Sequence, residues 1–438
     1  MSDGRGAVVA LLPWGDVIED FLDPIGVSWD EFCAEMTGGW LFGYVEALRT
    51  AGVRSVIVCL SERTAAPART VHAPTGAAVY LLPASGWYRG LRSAIGRGLT
   101  WTSDPEHPGR RVAGRLLGAV RNLVPYLATP AGPLADVLRR EGCDAVLCQE
   151  YEYPRFDACV RLGRRLRIPV FATFQGGDWQ VSGVERFVRP WALRRSAGLI
   201  VGSRREELRL RERYGMPSNK ITRVFNPLDL SLWRAEDRAE ARRALAIPPH
   251  ARVAVWHGRI EMHRKGLDVL IDAWERVERE AAGADVRLLL LGTGSDSGRL
   301  RGLLAERRLS GVRWLDEYVL DRGVARRWLS AADVYAFSSR HEGFPVAPLE
   351  AMACGLPVVA ADAPGVEDIL EGGDTSGGVV VPRGDAVALA TELNRLLRDS
   401  AFARELGARA RRRVEERFSL GTVGAQLRRV LVGAGAQG

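Results

Sequence analysis

Short apolar runs recur along this chain, and segments with helical spacing separate them. Such runs suit the strands of a parallel sheet whose two faces are both covered by helices. The pattern therefore predicts an α/β fold with doubly wound sheets. The predicted strands are residues 7–12, 55–60, 145–148, 169–173 and 199–202 in the first half, and 253–256, 286–291, 312–315, 334–338 and 357–361 in the second.

The two series of runs are separated by a polar, charge-rich stretch after Asn226-Pro227. A chain of 438 residues is also too long for one compact core. We therefore expect a first domain over residues 1–230 and a second over 231–410. An arginine-rich helical tail, 411–438, is expected to pack back toward the first domain. Residues 61–135, with recurring Pro and Gly, are expected to form longer loops and helices.

Composition excludes several classes of protein. No apolar run approaches the ~20 residues that span a bilayer, and six cysteines occur without metal-finger spacing. We expect a cytoplasmic protein without a metal site. The formal charge of +8 comes almost entirely from arginine, which suits an anionic substrate, peripheral contact with a membrane, or simply solvated helices. No recognised nucleic-acid-binding module is present, so nucleic acid is not an expected partner.

The most informative stretch is residues 338–359, SSRHEGFPVAPLEAMACGLPVV. It predicts a strand end, a loop, a short helix and the next strand, with Pro348 in the first helical turn. Unpaired backbone N–H groups at such a loop-to-helix junction favour a phosphate. Glu342 and Glu350 flank the loop and can accept hydrogen bonds from sugar hydroxyls. The alternatives are a solvated loop acid at Glu342 and a helix-capping role for Glu350.

A basic loop follows the predicted strand 253–256, with the sequence HGRIEMHRKG from His257 to Gly266. Two of its cations, Arg259 and Lys265, can neutralise charge that develops on a leaving diphosphate. The alternative is that Lys265-Gly266 merely begins the next helix.

These two segments resemble the Glu-x7-Glu and G-R-x5-K-G signatures of the family 4 glycosyltransferases. The resemblance covers essentially the whole chain, and Pro345 stands where that family commonly has glycine. It implies a GT-B fold, in which two Rossmann-like domains face a central cleft, and a retaining transfer of a hexosyl group from a UDP- or GDP-sugar without a metal. Glu342, Arg259 and Lys265 would be catalytic. The substrate would also be held by Glu350 and the loop residues Gly343, Phe344, Pro345 and Val346.

The resemblance implies further binding residues outside these signatures. Gly38 and Gly39 match a glycine pair near the acceptor and donor phosphate, with an ordinary turn as the alternative. Tyr318 falls where the family lines its base pocket. Many relatives carry a histidine after the strand 169–173, and this chain has Gln175 or Asp178 there instead. Residues 14–29, rich in Trp and Phe, are equally compatible with an acceptor cleft and with packing.

The acceptor is left open by these patterns. A glycan, a lipid and a small molecule are all compatible with them. Two rival functions are a sugar-nucleotide epimerase or phosphorylase of the same fold, and a non-catalytic subunit that binds nucleotide sugars.

Overall fold

The computed structural model describes residues 6–95, 123–176, 184–281 and 283–433. It contains two sheets with helices on both faces, in the order expected of two consecutive Rossmann-like domains. Asp178, predicted to bind substrate, lies outside the described residues.

The first sheet has eight strands in the order β3-β4-β2-β1-β5-β6-β7-β8. All neighbours are parallel except the β3–β4 pair. The strands are β1 (Val8–Leu12), β2 (Arg54–Ser61), β3 (Ala68–Val71), β4 (Ala78–Pro83), β5 (Ala145–Gln149), β6 (Val170–Phe174), β7 (Gly198–Val201) and β8 (Ile221–Arg223). The α-helices are α1 (Glu19–Leu22), α2 (Trp29–Ala34), α3 (Gly39–Thr50), α4 (Gly86–Ile95), α5 (Ala131–Glu141), α6 (Pro154–Leu166), α7 (Glu185–Arg195) and α8 (Arg204–Tyr214).

The second sheet has six parallel strands in the order β11-β10-β9-β12-β13-β14. They are β9 (Arg252–His257), β10 (Val286–Leu291), β11 (Val312–Leu315), β12 (Val334–Phe337), β13 (Val358–Ala361) and β14 (Gly378–Val381). The α-helices are α9 (Arg238–Ala244), α10 (Leu267–Glu280), α11 (Ser297–Arg307), α12 (Arg322–Ala331), α13 (Ala347–Ala353), α14 (Val366–Ile369), α15 (Ala386–Arg398), α16 (Ser400–Arg417) and α17 (Leu420–Leu431).

Buried apolar strands account for this arrangement. Every residue of β1, β5, β6 and β7 is buried, as is every residue of β12 and β13. Central parallel strands of this kind need helices on both faces. The ten predicted apolar runs all correspond to strands of the two sheets.

The expectation of only loops and helices in residues 61–135 was wrong, because β3 and β4 lie there. Strand β3 is an edge strand whose residues are exposed or half-buried. It therefore lacks the kind of apolar run that identified the ten predicted strands. Strands β4, β8 and β14 were not predicted either. The pairing of β3 with β4 is a long-range feature that single-strand patterns do not show.

The chain crosses between the domains twice, and the two crossings touch. The backbone N–H of Leu228 donates to the carbonyl of Phe418 at 2.7 Å. Helix α16 packs on α13 in the second domain, whereas α17 packs on α3 in the first. Gly424 in α17 permits this contact, since a Cβ there would lie 2.1 Å from the carbonyl oxygen of Ala47.

The carboxyl ends of both sheets face the same cleft. The loop after β6 meets the loop after β12, because a Cβ on Gly176 would lie 2.6 Å from the backbone nitrogen of Gly343. The segment after β1 meets the loop after β9, where the Arg259 guanidinium lies 5.6 Å from the centre of the Phe21 ring. Ligands of open α/β sheets bind at such strand ends.

Candidate active site

The Glu342 loop and the basic loop lie side by side because β12 and β9 are neighbours in the second sheet. Lys265 Nζ lies 2.7 Å from Glu342 Oε1, and the two side chains are 20% and 10% exposed. Both groups are thus largely shielded from water yet still reachable from the cleft. An ion pair in this setting is stronger than one on the surface.

Gly266 lets the basic loop approach the end of β12. Its φ is +62°, and a Cβ there would lie 2.1 Å from the carbonyl oxygen of Ser338. The Ser338 hydroxyl also donates to the carbonyl of Lys265 at 2.9 Å. The backbone of Lys265 is therefore fixed against the strand that leads to Glu342, which favours one position of its side chain.

Glu350 lies in the first turn of α13 and is buried. Its Oε2 is 2.6 Å from Nε2 of His257, the last residue of β9. The carbonyl of His257 accepts a hydrogen bond from the Tyr335 hydroxyl at 3.2 Å. Burial raises the pKa of Tyr335 well above its usual value, so the phenol stays protonated and donates.

His257 was not identified as a site residue from the sequence. The signal was its position at the end of β9, two residues before Arg259. Among the described residues, His, Cys, Asp and Glu side chains do not form a group of three that would hold a metal ion.

Arg259 extends toward the first domain. Its side chain is 43% exposed and bonds Glu261 Oε1 at 3.3 Å. The ring of Phe21 that it approaches is itself stacked on Trp14, with centroids 3.9 Å apart. The rings of segment 14–29 thus pack on one another, and Phe21 also borders the interdomain cleft.

The loop residues after Glu342 have different environments. Phe344 is buried and stacks on Phe225 at 5.1 Å, so its ring serves packing. Pro345 is buried beside Gly365, and Val346 is a half-buried N-cap of α13. Gly343 and Phe344 both contact the first domain, Gly343 through its backbone beside Gly176 and Phe344 through its ring beside Gly202.

Gln175 is engaged in protein contacts. Its side-chain amide exchanges hydrogen bonds with that of Asn226, at 2.7 and 3.2 Å, and donates to Thr173 at 3.0 Å. Asn226 also donates to the carbonyl of Phe344 at 3.0 Å. Gln175 thus helps to link the two domains at the cleft, a role the sequence did not indicate.

Gly38 lies against the second domain, whereas a Cβ on Gly39 would meet nothing within 4 Å. Both have positive φ, +79° and +65°. A Cβ on Gly38 would lie 2.6 Å from Arg322 Nη2, and Arg322 donates to the Thr37 carbonyl. Tyr318 is half-buried and packs against the apolar core of the first domain, so it too lies between the domains.

Two models of known protein families match this chain. The family model described as Glycosyltransferase Family 4 matches residues 41–232, and the one described as Glycosyl transferases group 1 matches residues 251–399. This chain belongs to glycosyltransferase family 4. The matches cover both domains, including the Glu342 loop and the basic loop.

Two curated relatives of this family 4 protein are informative. The D-inositol 3-phosphate glycosyltransferase of Xylanimonas cellulosilytica is 34% identical over 229 residues, which are 49% of this chain and 52% of that protein. The alpha-maltose-1-phosphate synthase of Mycobacterium tuberculosis H37Rv is 31% identical over 265 residues, 57% of this chain and 66% of that protein. The chain thus spans about half the length of the first relative and somewhat more of the second.

Among solved structures, sucrose-phosphate synthase from Thermosynechococcus elongatus is similar with a TM-score of 0.70. The superposition covers 99% of this chain and 100% of that one, at 22% sequence identity. At this identity the similarity shows a common GT-B fold.

Proposed function

We propose that this family 4 protein transfers a hexosyl group, with retention at the anomeric carbon, from a UDP- or GDP-sugar to a hydroxyl acceptor. The observation that carries the proposal is the shielded Lys265–Glu342 pair, 2.7 Å apart at the mouth of the interdomain cleft. It places a cation for a diphosphate beside an acceptor for sugar hydroxyls, which are the two halves of a nucleotide sugar.

Each charged group has one role in this proposal. Lys265 and Arg259 hold the diphosphate, and Glu342 accepts hydrogen bonds from hydroxyls of the transferred hexose. Glu350, oriented by His257, accepts hydrogen bonds from the ribose. The donor thereby replaces part of the ion pair between Lys265 and Glu342 with contacts of its own.

The reaction is a front-face displacement. The acceptor oxygen bonds to the anomeric carbon on the face from which the diphosphate departs, and its proton passes to a phosphate oxygen of the leaving group. No protein nucleophile is required. Lys265 and Arg259 stabilise the charge that develops on the leaving diphosphate, which accelerates the step without a metal ion.

For the acceptor, we propose a sugar or polyol hydroxyl. The names of the two relatives both contain a phosphorylated polyol or sugar. Phosphorylated polyols and sugars therefore come first in an acceptor panel, followed by glycans and lipids. Association with the cytoplasmic face of a membrane is also part of the proposal.

The donor is identified first by thermal unfolding in the presence of UDP-, GDP- and ADP-sugars. A true donor raises the melting temperature with the logarithm of its concentration, because only the native state binds it. Labelled donor and the acceptor panel then distinguish the functions. A label that moves to the acceptor with the α-configuration kept supports the proposal.

Other outcomes of that labelling experiment decide against it. Label recovered in an isomerised nucleotide sugar indicates an epimerase, and label released as sugar phosphate only with added phosphate indicates a phosphorylase. Stabilisation by nucleotide sugar without any turnover across the panel indicates a binding subunit.

A further inference from the structure

Helices α6 and α7 of the first domain present a shared outward surface, here named the α6–α7 face. Its exposed residues are arginines and aromatic rings: Arg161, Arg164, Arg165, Arg186, Phe187, Trp191, Arg194 and Arg195. The two helices meet where the Arg164 guanidinium lies 5.8 Å from the centre of the Trp191 ring. The face is therefore one continuous surface.

The positive charge of this face is not balanced by acids on the same helices. Each helix has one acid, Asp157 in α6 and Glu185 in α7, and both are buried. Asp157 is bound at 2.8 Å to Arg189, itself buried. Among the described residues, 6–95, 123–176, 184–281 and 283–433, none of the six exposed arginines of the face forms an ion pair. These cations are thus available to an external anion.

The aromatic residues of the face are unusually accessible. The Phe187 side chain is 82% exposed and Trp191 is 36% exposed. They are four residues apart on a helix, so they share one stripe, which Arg195 continues at the same spacing. Large exposed apolar side chains rimmed by charge mark an interaction site.

We propose that the α6–α7 face binds the surface of a bilayer that contains anionic lipids. Arginines bind lipid phosphates, while Phe187 and Trp191 enter the boundary between headgroups and acyl chains. A nucleic-acid duplex would satisfy the arginines, but it offers no apolar layer for a phenylalanine as exposed as Phe187. Every helix among the described residues is too short or too polar to cross a bilayer, so this contact is peripheral.

The position of the α6–α7 face relative to the cleft determines where membrane binding would hold the cleft. Helix α7 follows β6 in the chain, and the end of β6 carries Gln175 and Gly176, which border the cleft. Phe187 lies in the first turn of α7, at the end of the helix nearer that edge. Binding through this face would hold the cleft close to the membrane surface.

The test is co-sedimentation of the full chain with vesicles. One set contains phosphatidylcholine with phosphatidylglycerol, and the other contains phosphatidylcholine alone. We expect binding to the first set that weakens as salt increases. Because each arginine near an anionic surface contributes about a fivefold change in partitioning, the variant Arg161→Gln/Arg165→Gln/Arg194→Gln should bind about a hundredfold less.

A matched variant controls for net charge. Arg279→Gln/Arg299→Gln/Arg404→Gln removes the same charge from exposed positions of the second domain and should bind like wild type. Phe187→Ser should lower partitioning about tenfold. Val387→Ser, at an exposed position 53% accessible, should not.

Three results would overturn the proposal. The first is no sedimentation with anionic vesicles at low salt, and the second is equal loss in the face and control variants. The third is capture by duplex DNA that the arginine variant loses and Phe187→Ser retains, which would indicate a nucleic-acid surface. Transfer to a soluble acceptor is measured in parallel, so a failure of membrane binding is separable from a failure of the proposed reaction.

Discussion

His257 Nε2 lies 2.6 Å from Glu350 Oε2, joining the end of β9 to the first turn of α13. An ionised carboxylate only accepts hydrogen bonds, so Nε2 of the imidazole donates. The contact fixes the direction of a buried acid proposed to bind ribose. His257, which acts through Glu350 and not on the reacting carbon, thereby helps to determine how the donor is held.

Replacing His257 should therefore weaken donor binding more than the chemical step. We expect His257→Ala to raise KM for the nucleotide sugar about tenfold, with a smaller fall in kcat. His257→Gln, whose amide can still donate to Glu350, should recover part of the loss. Steady-state kinetics with saturating acceptor measure both parameters, and a kcat-only defect would contradict the positioning role.

Lys265→Ala should reduce kcat by about 10²–10³-fold, because it removes a preorganised cation from the leaving diphosphate. The chain has one other lysine, Lys220, whose ammonium donates to the carbonyls of Arg194 and Ser196 in the first domain. Lys220→Ala is thus a matched control and should keep full turnover of a soluble acceptor. Equal activity of the two variants would show that Lys265 does not stabilise the leaving diphosphate.

Glu342→Gln keeps the size of the side chain but loses its charge. We expect transfer to fall more than a hundredfold while the far-ultraviolet circular dichroism spectrum stays unchanged. Glu371→Gln, on an exposed loop of the same domain with a side chain 50% accessible, is the control. Turnover near wild type in Glu342→Gln would show that this carboxylate is only the partner of Lys265.

Gly343→Ala tests the closed arrangement of the domains. The added Cβ would lie 2.2 Å from the backbone nitrogen of Gly176, and this distance is too short for two non-bonded atoms. The two loops must separate, so kcat should fall and small-angle X-ray scattering should report a larger radius of gyration. Gly302→Ala in α11, where an added Cβ meets nothing within 4 Å, should leave both measurements unchanged.

Asp16 gives a pH-dependent prediction for stability. Burial raises the pKa of this carboxyl from 3.8 to about 7, only partly opposed by the nearby Arg155. The native state therefore holds the proton more tightly than the unfolded state, and stability falls as pH rises between these two values. Asp16→Asn should melt a few degrees above wild type at pH 8 and lose that advantage near pH 4. An offset that does not change with pH would contradict this.

The sequence was sufficient for the fold because its central strands are continuous apolar runs, such as Leu288 to Leu291 between two turns. It was also sufficient to bring Glu342 and Lys265 into one site, since each follows a strand that ends at the same edge of a parallel sheet. The edge strand β3 was missed for the opposite reason, since its side chains face solvent.

Contacts between the domains could not be predicted from local patterns. The approach of Gly176 to Gly343 and of Arg322 to Thr37 depends on how two separately folded cores meet. Nothing in the sequence around Gln175 indicates that its amide pairs with Asn226. Gln175, which stands where many relatives have a histidine, thus has its hydrogen-bond partner elsewhere in the chain.

The adjacent crossings at Leu228 and Phe418 restrict how this molecule opens. Two covalent connections that are hydrogen-bonded to each other at one point favour rotation of the domains about that point over sliding of one past the other. Substrate entry and product departure would then use the same rotational movement. Stiffening the backbone at this pivot would slow both.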